Sequence, residues 1–291
     1  MDVAIVVGLF VNYAATMAVF GAAAFRLLIV DAEVAVAVDP RLKRWLIFAS
    51  FAALLGAIAL TMLEAGSMAG DWSAALDTET IGAVLTGTAF GHVWLWRLGI
   101  AVIVALCAIA TRPSAPWIAF SAAFLLASLA LVGHAAMSEG AVGAIRRATQ
   151  AIHLLAGGAW IGGAISLALA LVATRHRPRA AIPILLRFSL YGAGAVVLIV
   201  ASGTLNAVAL LGTVGALIGA AYGWALLVKI LLVAMLIVLA SYNRFVLVRR
   251  LAIEPDTAMR RLRRSVGLEI ALGALVVLVA SRLGTLPPPG G

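Results

Sequence analysis

Long apolar runs alternate with short polar breaks along the whole chain. Each run is about 20 residues long and nearly free of charge, the length of helix that crosses a hydrocarbon core about 30 Å thick. The breaks carry turn and helix-stop residues, as in "DPRLKR" at 39–44, "TRPSAP" at 111–116 and "RHRPRAAIP" at 175–183. The pattern therefore predicts an all-α, polytopic membrane helical bundle.

Eight transmembrane helices are predicted, and together they form a single membrane domain over residues 1–291. The first apolar run follows one acidic residue, Asp2, and no basic segment, which favours a retained helix over a cleaved signal peptide. The predicted spans are 3–30, 45–66, 93–111, 116–136, 147–173, 185–210, 219–243 and 265–285.

Lysine and arginine are distributed unequally between the two sides of the predicted bundle. Sixteen of the 21 basic residues fall in or beside the loops that follow predicted spans 1, 3, 5 and 7. The positive-inside rule places those loops in the cytoplasm and both termini on the extracytoplasmic side. The net charge of +9 is explained by this topology, so the expected partner is membrane lipid and no nucleic acid is expected.

Three of the four histidines map to the outer side of the predicted bundle. His92 precedes the third span, His134 ends the fourth, and His153 lies about two turns into the fifth. Imidazole suits Cu(II) and thioether selects Cu(I), so histidine and methionine together predict a copper site. The candidate metal ligands are His92, His134, His153, Met137, Glu64 and Met68.

Several of these polar residues, and two nearby tryptophans, also fit a purely structural role. A methionine near a helix end, such as Met68, is commonly a packing residue. Glu64 is expected to pair with Arg97 or Lys229, because charges at membrane depth are costly. Trp94 and its neighbour Trp96 are interpreted as interfacial anchors.

The motifs of the last three predicted spans resemble a known family. In order, they are "SGTLNA" (202–207), "YGWALLVKILL" (222–232), "SYNRF" (241–245) and "RRLRRSVGLEIALGALVVLVASRLGTLPP" (260–288). This order is similar to that of CopD, the bacterial copper resistance protein D family, and "GHAAMSEG" and "HLLAGGAWIGG" resemble its central helices. Residues 180–288 are the part most like the family core.

The resemblance implies a fold, a location and a partner. It implies an eight-helix protein of the bacterial inner membrane that moves copper toward the cytoplasm. It also implies a periplasmic CopC-like copper-binding protein as partner. The family's metal ligands match His92, His134, His153 and Met137 here.

Three functional hypotheses follow from the sequence. The first is a copper permease, which takes copper ions at the outer site. The second is a redox protein in which His134 and His153 are axial ligands of haem b. The third is a copper-binding partner that transports nothing. No Walker motif is present, and the chain is expected not to be an enzyme.

Overall fold

The computed structural model describes residues 2–133, 139–211 and 215–287. Every regular element in these ranges is a helix, as predicted. The α-helices are α1 Asp2–Leu28, α2 Ala32–Ala69, α3 Thr78–Gly87, α4 Ala89–Ala110, α5 Pro116–Ala127, α6 Gly140–Gly157, α7 Gly163–Ala173, α8 Ala181–Leu211, α9 Ala216–Gly219, α10 Ala221–Tyr242, α11 Val248–Arg250 and α12 Pro255–Leu283.

Short 3-10 and π turns extend or join these α-helices. The 3-10 turns are Trp72–Leu76, Ser128–Leu131 and Pro178–Ala180. A π turn, Gly158–Gly162, joins α6 to α7, and a second π turn, Asn243–Leu247, joins α10 to α11. Single π turns inside longer helices occur frequently at functional sites.

Seven helices in the described ranges are long and apolar enough to cross a membrane. They are Val3–Leu28, Ala32–Ala69, Ala89–Ala110, Gly140–Ala173, Pro178–Leu211, Ala221–Arg250 and Pro255–Leu283. The fourth predicted span corresponds to a shorter apolar helical segment, Pro116–Leu131. The structure therefore supports a multi-pass helical protein.

Several predicted boundaries differ from the structure by five residues or more, including the starts of the second, fifth and eighth predicted spans. The second helix begins at Ala32 and continues through Pro40, where the sequence predicts a break. Proline removes the backbone N–H that would bond to the carbonyl of Val36. The helix nevertheless continues through this position, and Val36 is exposed. The fifth predicted span begins at Gly140 and not at residue 147.

Small residues bring α1 into backbone contact with the π turn Gly158–Gly162. A Cβ atom built on Gly21 would lie 2.3 Å from the carbonyl carbon of Gly162, and one built on Gly162 would lie 2.0 Å from the carbonyl oxygen of Met17. No side chain fits at such distances, so glycine is required at both positions. The motif "GGAWIGG" thus permits a close helix approach.

Salt bridges join helix ends on the side that carries most of the basic residues. Arg26 of α1 pairs with Asp39 of α2, and Arg187 of α8 pairs with Asp31 at the start of α2. Lys43 of α2 donates to the carbonyl oxygen of Ile109, near the end of α4, at 2.8 Å. These contacts fix the ends of α1, α2, α4 and α8 at one side of the bundle.

Candidate metal site

The candidate ligand His153 lies between α6 and α8 and is bonded to Ser202. Its Nδ1 atom is 3.0 Å from Ser202 Oγ, and that hydroxyl is also 2.5 Å from the carbonyl oxygen of Leu198. A serine hydroxyl has one proton, and the carbonyl can only accept it. His153 Nδ1–H therefore donates to Ser202, which leaves the lone pair of Nε2 available for a metal.

A seam of polar contacts joins α6 to α8 between His153 and the outer ends of these helices. Asn206 Nδ2 donates to Gln150 Oε1 at 2.8 Å, beside the bond between His153 and Ser202. Arg146 Nη2 is 3.4 Å from the carbonyl oxygen of Ala209. The α6 members are spaced by four and three residues, so they share one face of the helix. We call these three contacts the α6–α8 seam.

His153 lies deeper along its helix than the sequence predicts. Because α6 begins at Gly140, His153 follows 13 residues of helix, or about 20 Å at 1.5 Å per residue. Leu154, its neighbour, packs in one apolar cluster with Leu129 and Ala130 of the 3-10 turn after α5. The end of that turn thus lies at the depth of His153.

Lys229 of α10 is the charged group that acts electrostatically on His153. A protonated ammonium opposes a second positive charge on the neighbouring imidazole, whether that charge is a proton or a metal ion. A metal ion at Nε2 therefore needs additional ligands or a neutral Lys229. The sequence gives no sign of this relationship, because the two residues are 76 positions apart.

His92 is exposed near the start of α4. Its Nε2 atom lies 2.8 Å from the carbonyl oxygen of Thr86, which can only accept a hydrogen bond. Nε2 therefore carries the proton, and Nδ1 is left with a free lone pair on the exposed surface. The helix that carries His92, α4, packs mainly on α2, α3 and α5, and not closely on α6 or α8.

The candidate ligands of α2 lie near its C-terminal end, away from the basic side. Met68 is exposed, and Glu64 is half-buried and interacts electrostatically with Tyr13 of α1. The predicted ion pair of Glu64 with Arg97 or Lys229 is not observed: in the described ranges, the only ion pairs are the two at the basic side. Arg97 instead donates hydrogen bonds to neutral oxygen atoms of α1, of α5 and of the turn after α5.

Arg97 is completely buried and links three helices. Its Nη1 atom donates to the carbonyl oxygen of Leu125 at 2.9 Å and to Ser128 Oγ at 2.6 Å, and its Nη2 atom donates to Asn12 Oδ1 at 3.2 Å. Trp94, predicted as an interfacial anchor, is instead buried. Its indole N–H donates to the carbonyl oxygen of Ala57 at 3.0 Å. Trp96 is largely exposed, as an anchor should be.

Two aspartates cap the helical segments between α2 and α4. The hydroxyl of Ser73, helped by its backbone N–H, holds the pKa of Asp71 below its ordinary value. Asp77 is the N-cap of α3, and the hydroxyl and backbone N–H of Thr80 hold the pKa of Asp77 below its ordinary value. Both carboxylates therefore add stable negative charge to the exposed surface between α2 and α4.

The structure does not bring three of the candidate ligands together within residues 2–133, 139–211 and 215–287. No group of three His, Cys, Asp or Glu side chains in those ranges forms a metal cluster. His134 and Met137 lie outside the described residues, so the predicted site containing them stays a prediction. Sequence reasoning missed Ser202 and Gln150, although Ser202 and Asn206 form a visible i,i+4 polar pair in "SGTLNA".

Models of two known families match separate parts of the chain. Residues 1–144 match the model of the copper resistance protein D-like N-terminal domain, and residues 182–283 match that of copper resistance protein D. The chain is 34% identical to the inner membrane protein YebZ of Escherichia coli (strain K12) over 284 residues, which cover 96% of each chain.

Two further relatives carry copper in their names. The chain is 31% identical to copper resistance protein D of Pseudomonas syringae pv. tomato over 81% of this chain and 80% of the relative. The chain belongs to the copper resistance protein D family. It is also 31% identical to the copper transport protein CutJ of Bacillus subtilis (strain 168), over 76% of this chain and 41% of the relative. No solved structure matches this chain.

Membership of the CopD family confirms the resemblance found in the sequence. Together with seven apolar helices, it identifies the chain as a multi-pass inner-membrane protein. The comparisons connect the family with copper resistance and copper transport. They give no support to the alternative in which His134 and His153 hold haem b.

Proposed function

We propose that this CopD family protein binds copper at an outer histidine and methionine site and moves it toward the cytoplasm. The observation that carries the proposal is His153, whose Nε2 lone pair is left free by the bond from Nδ1 to Ser202. The relatives named for copper resistance and copper transport support the choice of metal. Copper is the cargo of the proposed site.

The predicted ligands His134 and Met137 complete the proposed site with His153. Chain geometry supports this grouping, because three residues span at most about 11 Å and His134 follows Leu131 by three positions. The 3-10 turn that ends at Leu131 lies at the depth of His153. Two imidazoles and one thioether would suit copper in either oxidation state. His92, Glu64 and Met68 would act earlier, as surface ligands on the route to the site.

The proposed topology has eight crossings and both termini outside the cytoplasm. Pro116–Leu131 would be the fourth crossing. The helix before it, α4, ends at the basic side, where Lys43 bonds to Ile109, and the helix after it, α6, carries the α6–α8 seam. Its 16 residues are slightly fewer than the usual minimum of about 17, a mismatch that local thinning of the bilayer accommodates. This topology places His153 in the outer half of the membrane.

The proposal makes the protein a transporter and not an enzyme. A soluble periplasmic CopC-like protein would deliver copper to the outer face. An electrical potential, negative inside, favours entry of a cation by about 2.3 kcal/mol per charge per 100 mV, so copper entry needs no bound nucleotide. Lys229 would lower the affinity of the site for copper, which assists release from it.

Copper uptake into proteoliposomes tests the proposal directly. We expect isotopically labelled copper to accumulate with the wild type and to fall to the level of empty liposomes with His153→Ala. The matched control is His176→Ala, because His176 is an exposed loop histidine that only accepts from Arg175 Nε at 2.8 Å. Copper content of each purified variant is measured on the same samples.

The outcomes separate the two copper hypotheses. Uptake that depends on His153 but not on His176 supports the transporter. Copper binding that depends on His153, without uptake by any variant, would identify a copper-binding partner that transports nothing. Uptake that survives His153→Ala unchanged would contradict the proposed site.

A further inference from the structure

A cavity of about 420 Å³ lies among α7, α8, α10, α12 and the second π turn, away from His153. Ser189 of α8 lines it, and Ser202, the partner of His153, is 13 residues further along the same helix. At 1.5 Å per residue the two serines are about 20 Å apart along α8. Val196, the lining residue of α8 nearest to Ser202, is still six residues or about 9 Å away from it, and no candidate copper ligand among the described residues lines the cavity. The cavity is therefore distinct from the proposed copper site and extends toward the basic side. We call it the inner cavity.

The inner cavity has a polar floor with an unused acceptor. Glu269 of α12 is 6% exposed, and its Oε1 atom accepts from Asn243 Nδ2 at 2.7 Å. The other amide atom, Asn243 Oδ1, is buried and has no hydrogen-bond partner, although this side chain lines the cavity and is 7% exposed. A buried polar atom without a partner is costly, which indicates that a ligand with a donor group belongs beside it.

Donor groups lie on another wall of the inner cavity. Arg244 Nη1 donates to Ser189 Oγ at 2.7 Å, and both residues line the cavity. Neither Arg244 nor Glu269 forms an ion pair in the parts of the chain that the structure describes. A neutral ligand that both donates and accepts hydrogen bonds would therefore bond to the floor and to this wall without adding charge.

The remaining wall of the inner cavity is apolar and aromatic. Trp160 and Phe188 line it, and both rings are buried in the bundle. Leu190 and Phe245 also line it and are 69% and 57% exposed on the surface that would face lipid. A ligand would thus enter from the hydrocarbon of the bilayer. The volume lies within the range of about 300–1,000 Å³ typical of small-molecule sites.

Both π turns contribute residues to the wall of the inner cavity. The first contributes Trp160, and the second contributes Asn243, Arg244 and Phe245. A π turn adds one residue to a helical turn and shifts the side chains that follow it. The polar floor and one aromatic wall are consequently placed by irregular backbone, as at many ligand sites.

We propose that the inner cavity binds a membrane-soluble hydroquinone. One ring hydroxyl would donate to Asn243 Oδ1 beside Glu269, and the opposite ring oxygen would accept from the Arg244 side. Trp160 and Phe188 would pack on the ring, and an apolar tail would leave past Leu190 into lipid. The oxidised quinone has no hydroxyl to donate to Asn243 Oδ1, so the cavity should prefer the reduced form.

Equilibrium binding of a short-chain hydroquinone to the full-length protein in lipid nanodiscs tests the proposal. We expect saturable binding with about one ligand per chain, and about tenfold weaker binding of the oxidised quinone, the effect of one lost hydrogen bond. Asn243→Leu should weaken hydroquinone binding by about the same factor. The matched control is Asn206→Leu, which removes a helix-joining amide of the α6–α8 seam and should leave binding unchanged.

A second variant keeps the test decisive if Asn243→Leu fails to fold. Ala240→Phe adds a ring to the cavity wall one helical turn before Asn243, leaves the Asn243 and Glu269 side chains unchanged, and should abolish binding of both forms. Equal affinity for the two redox forms, or binding that survives Ala240→Phe, would overturn the proposal. A phospholipid that is retained by the purified protein and not displaced by hydroquinone would overturn it as well. Copper uptake is measured separately, since this inference is independent of the proposed copper site.

Discussion

The guanidinium of Arg97 lies over the ring of Trp94, with 4.7 Å between Cζ and the ring centroid. Both side chains are buried where α4 meets α1, α2 and α5. Arg97 also bonds to Ser128, the first residue of the 3-10 turn that precedes residues 134–138. The pair therefore fixes the end of α5, from which the chain continues to the predicted ligands His134 and Met137.

Replacing Arg97 should destabilise the bundle. Arg97→Met keeps most of the side-chain volume but removes the hydrogen bonds to Asn12, Leu125 and Ser128. Hydrogen bonds to charged groups contribute about 1.5–3 kcal/mol, so we expect a loss of at least that size in the free energy of unfolding in detergent. Arg112→Met, at an exposed loop position, is the control. A variant as stable as the wild type would show that burying the guanidinium costs as much as its bonds contribute.

The contact between α1 and the first π turn should tolerate no added methyl group. Gly21→Ala places a Cβ atom 2.3 Å from the backbone of Gly162, which forces the helices apart. Overpacking of this kind costs about 1–3 kcal/mol or more, measured as a lower midpoint of thermal unfolding. Gly194→Ala is the matched control, because a Cβ atom there meets nothing within 4 Å. It should leave stability unchanged or raise it by up to about 1 kcal/mol. Equal midpoints for the two variants would contradict the observed packing.

Apolar length and charge bias were sufficient to predict the helical membrane class, because a bilayer requires long apolar helices. Helix ends were predicted less accurately. The sequence predicts a break at 39–44, but the helix continues through Pro40. The two π turns carry no sequence pattern, since they are set by packing against other helices. Trp94 was misread because its burial depends on Arg97 and on the α2 backbone.

The candidate site could be predicted only in part. The residue types that bind copper are visible in the sequence, and so is the polar pair formed by Ser202 and Asn206. What the sequence lacks is the identity of the facing helix, which decides that His153 bonds to Ser202. It also lacks the position of Lys229, whose charge acts on His153. The same limit applies to Glu269, whose partner Asn243 belongs to a different helix.

Ser202 should act on copper affinity by orienting His153. Ser202→Ala removes the oxygen that accepts from Nδ1–H, so the ring loses its fixed tautomer and orientation. Loss of such a supporting hydrogen bond typically lowers metal affinity about 10–100-fold, and we expect a change of this size in copper titrations of the purified protein. Ser281→Ala is the control, because that buried serine bonds only to the carbonyl oxygen of Val277 within its own helix. Equal losses from both variants would assign Ser202 a general packing role.

Helix α3 should lose its cap on acidification. Thr80 donates to the carboxylate of Asp77, which lowers the pKa of this N-cap in the folded protein below the ordinary value of 3.8. A carboxylate with a lowered folded pKa stabilises the structure above its unfolded pKa, and that contribution is lost as the pH falls through the folded pKa. In micelles, the NMR signal of the Thr80 amide should therefore titrate with a midpoint below 3.8. Asp77→Asn keeps an accepting oxygen but cannot titrate, so its Thr80 signal should not move over that range. A midpoint at or above 3.8 in the wild type would show that the Thr80 bonds to Asp77 do not form in the membrane-bound protein.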